Sequence, residues 1–309
     1  MKAVVLACLE PHNLELCLDA LTRWLPAEDI LVINNGNLPE RTEVIELTAR
    51  RWNVTTGRGH ELAHGENTIR YAHEAFKDVC AMWPGETILK LDEEVLLVSR
   101  PEDWELGAME LKVPAVTVNN FTSRFFLEHL DPELAELARS HPWLWHRLHP
   151  VTGEDTKLRA MRALYSADPD TLVTLCQEHG SIRRLGREDW GPEGLMDVSD
   201  IDERRGISCT VMAFRSDDYL TMMGEGPGVD EVLFAEAVYG GRATYVVDTS
   251  IFCHHVNYYP MRAEVRALGE TIERWNRGAV VAATRSVFRP DAAAPVTGDL
   301  REITPAYRS

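Results

Sequence analysis

Ala3 to Leu9 is an unbroken apolar run, too short for a helix and of the kind that forms a strand buried on both faces. After the turn Glu10-Pro11-His12-Asn13, Leu14, Leu16, Leu18, Leu21 and Trp24 form a helix-compatible stripe with Asn13 as the predicted N-cap. Ile30 to Ile33 reads as a second strand, stopped by Asn34-Asn35-Gly36-Asn37. Pro39 to Trp52 suits a helix, Asn53 to Thr56 a short strand, Gly65 to Trp83 a helix and Thr87 to Leu91 a further strand. Strands alternating with helices imply βαβ crossovers, and hence an α/β fold with a mixed, mostly parallel sheet flanked by helices.

The pattern is less regular from Trp104 to Gly206, where Leu127 to Leu148 and Asp168 to His179 read as helices. Cys209 to Arg215 reads as a strand, Val232 to Tyr239 as a helix and Ala243 to Val247 as a last strand, with His254-His255 after it. Met261 to Trp275 suits a closing helix, and the proline-bearing remainder reads as a tail. No repeat or low-complexity linker divides the chain. The expected organisation is one catalytic domain over 1–275, its first 100 residues the nucleotide-binding half and 101–275 the acceptor half, followed by a tail over 276–309.

Composition narrows the function. Of 309 residues 45% are hydrophobic and 26% charged, the balance of an ordinary globular protein. The formal charge of −17 disfavours a wide nucleic-acid footprint, because such binding neutralises phosphates with clustered Lys and Arg. The apolar run behind Met1 is too short for a signal peptide or a membrane span, which predicts a cytoplasmic protein. Six cysteines without a CxxC pair exclude a cysteine-built zinc site and fit a reducing compartment.

The chemistry gathers in three places. Asp92-Glu93-Glu94 follows an apolar strand, where parallel sheets bind ligands at their carboxyl ends. Side chains two apart in extended chain share a face, so Asp92 and Glu94 can grip one cation while Glu93 turns away, and hard carboxylate oxygens suit Mg²⁺ or Mn²⁺. His254-His255 is the second place. Adjacent side chains diverge, so one of the two, His255 in preference to His254, faces the metal and moves the preference toward Mn²⁺. The third is Gly226-Pro227-Gly228-Val229-Asp230-Glu231, a glycine-rich loop that delivers two carboxylates to a helix start. They serve either as simple caps or as a general base. The aromatic cluster of Trp143, Trp145, His146 and His149 fits helix core, with a sugar-stacking platform as the alternative.

These elements in this order resemble the inverting glycosyltransferases with the A-type fold, especially their family two. The resemblance rests on Val5 to Asn13, on Ile33-Asn34-Asn35-Gly36-Asn37, on His64 to Arg70, on Leu89-Lys90-Leu91-Asp92-Glu93-Glu94, and on Asp230-Glu231. It implies a nucleotide-diphospho-sugar transferase that needs a divalent metal. Leu9, Glu10, Asn34, Asn35, Gly36, Asn67, Arg70 and Glu93 would contact the nucleotide or donor. Asp92, Glu94 and one of His255 and His254 would hold Mn²⁺ or Mg²⁺, and Asp230, or else Glu231, would be the catalytic base. The chain departs from the family's Asp-x-Asp by placing Glu94 last, and Asn34 stands where Asp is common. A UDP-sugar is the default donor and a GDP-sugar the option, while the acceptor is unread.

Two other functions fit the same fold. A sugar nucleotidyltransferase would carry a glycine-rich basic loop after the first strand, which Leu9-Glu10-Pro11-His12-Asn13 lacks. A scaffold that binds nucleotide without turnover is suggested by the imperfect acidic motif. A metallohydrolase built on His254, His255 and Asp92 would lack any HExxH spacing.

Overall fold

The apolar runs become the middle of one sheet. The computed structural model describes residues 1–7, 11–35, 39–58, 68–100, 103–116, 123–140, 159–160, 163–164, 167, 169–186, 210–224 and 230–255. Its strands are β1 (Lys2–Ala7), β2 (Ile30–Asn34), β3 (Thr55–Arg58), β4 (Thr87–Asp92), β5 (Val95–Leu97), β6 (Glu110–Val116), β7 (Ile182–Leu185), β8 (Val211–Arg215) and β9 (Thr244–His255). Its helices are α1 (Pro11–Thr22), α2 (Pro39–Arg51), α3 (Thr68–Met82), α4 (Ser123–Leu130), α5 (Pro132–Ser140), α6 (Pro169–His179), α7 (Ser216–Met223) and α8 (Asp230–Tyr239).

Among the described residues the nine strands form one sheet in the order β3-β2-β1-β4-β8-β6-β9-β5, with β7 also beside β9. The β1, β2, β3 and β4 pairings are parallel, as is that of β6 with β9, while β8, β5 and β7 run against their neighbours. The expected mixed, mostly parallel sheet is therefore present. The register aligns Ala7 with Asn34, Asn34 with Arg58 and Leu6 with Asp92, so the ends of the first four parallel strands share one edge.

Alternation sorts the strand side chains into two layers. Val5, Val32, Leu89 and Leu91 pack with Leu14, Leu18 and Leu21 of α1 and Ile45 of α2. Val4, Ile33, Ile88 and Phe214 pack on the other face with Phe76 and Val79 of α3, Tyr219 of α7 and Phe234 of α8. A third cluster joins Leu96, Ala115 and Phe252 to α4, α5 and α6. The four cysteines among the described residues, Cys17, Cys80, Cys176 and Cys253, are free and buried. Burial pushes all four thiols up, Cys80 to about 12, so they act as small apolar groups.

Several expectations need correction. Helix α1 starts at Pro11, so Asn13 lies inside it, buried, and is not its N-cap. The helix read over 127–148 is two helices, α4 and α5, broken at Asp131-Pro132, and its last residues, 141–148, lie outside the described set. The segment read as irregular contributes β6, wholly buried in the sheet, and the edge strand β7. The last strand does not stop at Val247 but continues through His254 and His255. The expected helix over 261–275, the tail and the Trp143 to His149 cluster lie outside the described residues.

Asp131 explains the break between α4 and α5. Its carboxylate accepts the Leu134 N–H at 3.1 Å, as an N-cap does, and takes two bonds of 2.6 Å from the Arg159 guanidinium. Pro132 follows as a preorganised first helical residue. The Arg159 hydrogen bonds, with the Leu134 amide, hold the Asp131 carboxyl below the usual carboxylate range. A folded pKa below the unfolded one stabilises above the unfolded value and is lost as pH falls through the folded value. Asp131→Ala should therefore cost about 1–2 kcal/mol at pH 7. The gap between wild type and variant should close in denaturant midpoints taken below about pH 4. A gap constant down to about pH 2 would contradict this assignment.

Strand β9 changes partner halfway. Tyr245 to Asp248 pair with β7, and Cys253 to His255 pair with β5, while β6 stays on the inner side throughout. The change happens at a bulge, where the register jumps from Asp248 opposite Pro114 to Phe252 opposite Ala115. Thr249 and Ser181 exchange hydrogen bonds there, and Asp248 accepts from Ser250. A Cβ on Gly180 would lie 2.3 Å from the Cys176 carbonyl oxygen and 2.5 Å from the Ser250 Cα. The absence of a side chain at Gly180 lets α6 end directly on the bulge.

Candidate functional site

The acidic triplet is a bend between two strands. Strand β4 ends at Asp92, Glu93 and Glu94 turn, and β5 begins at Val95. The Asp92 amide donates to the Thr210 carbonyl (2.9 Å) and the Glu93 amide to the Leu6 carbonyl (3.1 Å), which fixes the bend against the sheet. Glu93 is buried, while the Asp92 side chain is 34% exposed and that of Glu94 17%. The two outer carboxylates thus reach the edge and the middle one turns inward.

The pairing of β5 with β9 brings the histidine pair to the same place. Val95 pairs with His255 and Leu96 with His254. His255 Nε2 stands 2.8 Å from Glu94 Oε1, whereas His254 is fully buried, with its ring centroid 6.4 Å from that of Phe252. The two side chains diverge along the strand, and His255 is the one that reaches the acidic bend.

Asp92 is held from below. Lys90 lies two residues earlier on the same face of β4, 2% exposed, with Nζ 2.8 Å from Asp92 Oδ1. Periodicity alone gives Lys90 no role; the available signal is a lone charge in an otherwise apolar strand, two residues ahead of the triplet.

The end of β2 supplies the polar wall. Asn34 Nδ2 donates to the Thr42 carbonyl at 3.0 Å, which ties that side chain to α2. Asn35 is 6% exposed, its amide donates to the Ala7 carbonyl at 2.7 Å, and its Oδ1 is buried with no hydrogen-bond partner among the described residues. A buried acceptor left open costs about 1–3 kcal/mol, so Asn35 is poised for an incoming N–H group.

The remaining predicted residues are placed less fully. Leu9, Glu10, Gly36 and Asn67 lie outside the described residues, and for Arg70, Asp230 and Glu231 only the backbone is described. Arg70 is in the first turn of α3, and Asp230 and Glu231 open α8. At the other end of α8 the Arg242 and Ala243 amides bond back to the Ala237 carbonyl, reversing the chain into β9.

The Glu94–His255 pair is spaced as two ligands of one divalent cation would be. Two ligands bound at about 2.1 Å and at right angles stand about 3 Å apart, close to the Glu94–His255 separation. Both could serve one ion through Nε2 and Oε1. Among the described residues no group of three His, Cys, Asp or Glu side chains is clustered to hold an ion. No helix among them is long and apolar enough to cross a membrane.

No family model matches the chain, and no curated protein matches it. Solved structures do. A glucosyl-3-phosphoglycerate synthase from Mycobacterium tuberculosis, in complex with Mn²⁺, UDP and phosphoglyceric acid, aligns over 95% of this chain and 80% of its own, at 12% identity and a TM-score of 0.40. A mannosyltransferase from Pyrobaculum calidifontis, in complex with GDP-mannose and Mn²⁺, aligns over 95% and 76%, at 11% identity and a TM-score of 0.41. A further mycobacterial protein aligns over 92% and 74%, at 14% identity and a TM-score of 0.39. The likeness is one of outline: superpositions this loose assign no residue of this chain a role.

Proposed function

We propose that this chain is a glycosyltransferase that moves a sugar from a nucleotide-diphosphate donor, a UDP-sugar before a GDP-sugar, to an acceptor hydroxyl with inversion. The observation that carries it is the meeting of three kinds of group at one sheet edge. Asn35 offers a buried open acceptor, Asp92 a half-buried carboxylate on a buried ammonium, and Glu94 a carboxylate paired with His255. A nucleoside diphosphate needs that set: an acceptor for the imino N–H that uracil and guanine both carry, and a cation seat for the pyrophosphate.

Asp92, Glu94 and His255 would hold Mn²⁺ or Mg²⁺. When bound, such an ion neutralises the negative charge that grows on the departing diphosphate. The chain's own residues do the rest. Asn35 fixes the base and Asn34, tied to α2, keeps the β2 end rigid. Asp230, or else Glu231, at the start of α8, takes the proton from the acceptor hydroxyl as it attacks the anomeric carbon from the face opposite the diphosphate. Attack from that face inverts the configuration.

The test is a melting panel of UDP, GDP, ADP and CDP with and without Mn²⁺. A ligand that binds only the folded chain at one hundred times its Kd adds about 2.7 kcal/mol, a shift of several degrees. UDP or GDP should raise the melting temperature more than ADP and CDP, and more with Mn²⁺ than without. No shift from any nucleoside diphosphate in either condition would sink the reading.

A further inference from the structure

Asn34 and Asn35 stand side by side at the end of β2, and strand alternation sends them to opposite faces of the sheet. Val32 lies on the α1 and α2 face, and Asn34 follows it there, with its Nδ2 spent on the Thr42 carbonyl. Ile33 lies on the α3 face, where the same alternation places Asn35. Leu6, near the end of β1, packs on that face while only partly buried, and Asp92 is its register partner on β4. Asn35 and Asp92 thus flank Leu6 from the two neighbouring strands, two strand spacings or about 10 Å apart. A base held at the first and a diphosphate at the second would be joined across Leu6 by the ribose.

The Asn35 carboxamide is open at both ends. Among the described residues its backbone N–H is taken by the Ala7 carbonyl, its Oδ1 is buried without a partner, and its Nδ2 donates to no group. Such an amide offers one acceptor and one donor side by side, whereas a carboxylate offers two acceptors. Uracil and guanine present different edges to that pair. Uracil flanks its imino N–H with a carbonyl on each side, so the amide matches the N–H and one carbonyl together. Guanine has a carbonyl on one side and an amino group on the other, and the amide leaves the amino group unmatched. A carboxylate reverses the preference: it accepts from the imino and amino N–H groups of guanine at once, and sets its second oxygen against a carbonyl of uracil.

We propose that Asn35 determines the donor base, selecting uracil over guanine by accepting from the imino N–H through Oδ1 and donating to the neighbouring carbonyl through Nδ2. The proposal rests on the nucleotide reading of the preceding section and deepens it. It assigns the choice between two bases to the two ends of one neutral side chain.

The experiment titrates UDP, GDP and IDP, each with Mn²⁺, into the full chain as wild type, Asn35→Asp and Asn35→Ala, and reads the ratios of affinities by calorimetry. Wild type should bind UDP more tightly than GDP, and GDP binding as tightly as UDP overturns the proposal. Asn35→Asp should move the ratio toward GDP by about tenfold, the worth of one bidentate pair. IDP keeps the imino N–H and carbonyl of guanine and lacks its amino group, so it should not share that gain. An unchanged GDP to UDP ratio in a folded Asn35→Asp chain, or an equal gain by IDP, overturns the role of Asn35. A pocket merely loosened would weaken all three nucleotides together and leave the ratios where they were. Should Asn35→Asp not fold or bind neither UDP nor GDP, Asn35→Ala decides: its preference for UDP should fall toward parity, and a preference kept in full overturns the proposal. Failure of wild type to bind any of the three nucleotides sinks the reading of the preceding section, and the role of Asn35 with it.

Discussion

Replacing Lys112 by Met should destabilise the chain by about 3–5 kcal/mol, the cost of leaving a buried charge without its counter-ion. Lys112 Nζ lies 3.2 Å from Asp248 Oδ2, and the two side chains are 4% and 2% exposed. Asp248 also accepts from the Ser250 amide and hydroxyl, so the carboxylate keeps some hydrogen bonds but loses all neutralising charge. The pair stands where β9 bulges and changes partner, and the damage should spread along that strand. Guanidinium unfolding gives the measurement, with the midpoint reading stability and the slope checking cooperativity. Lys112→Met combined with Asp248→Leu should recover much of the loss, because a pair of apolar groups carries no desolvation penalty. A single-variant cost below about 1 kcal/mol would mean that the pair does not behave as a buried charge pair.

Asp92→Asn should abolish cation-dependent nucleotide binding and sugar transfer, with cation affinity reduced by about 100-fold or more. Asparagine is the informative choice. It keeps the shape and an oxygen that accepts from Lys90, whereas alanine would remove that hydrogen bond as well and confuse folding with binding. Asparagine still removes a charge beside Lys90, so the readout is the Mn²⁺-dependent shift with UDP or GDP taken from the variant's own unliganded melting temperature, and that shift should disappear. Turnover is read as sugar released from the donor in single-turnover conditions. Full activity or unchanged Mn²⁺ affinity in Asp92→Asn would remove Asp92 from the cation site and leave the proposed chemistry without its seat.

The first half of the fold was legible because its apolar runs are simple. Ala3 to Ala7, Ile30 to Ile33 and Thr87 to Leu91 carry almost no polar residue, so strands and edge follow from the runs and their alternation with helices. Strand β6 escaped because Glu110, Lys112 and Pro114 interrupt its apolar residues. Each charge has a tertiary partner, Arg184 for Glu110 and Asp248 for Lys112, and no local pattern announces such partners. The same polar run, Asp248-Thr249-Ser250, hid the continuation of β9, since the bulge that accommodates it is closed by Ser181 from another element. The break at Asp131 was written locally, as an Asp cap with Pro and Glu behind it, and was overridden by the long helical stripe around it. In the site, the acidic bend could be found from its strand. The choice of Asn35 over Asn34 as the open acceptor depends on which of two neighbouring amides reaches Thr42, a matter of packing against α2.

The bend at Glu93-Glu94 closes a circuit. Strand β4 leads through β8, β6 and β9 to β5, and β5 is joined to β4 by the bend alone. Glu94 therefore meets a residue 161 positions further on, and the seat does not exist until the last strand has docked. Such distant pairings are slow to form. During synthesis the strands that carry Asn35 and Asp92 emerge long before His255, so a nascent chain has its carboxylates in hand with the imidazole still to come. At the proposed cation site a divalent ion would meet an incomplete chelate until translation had passed β9, and its binding would then be a late event of maturation.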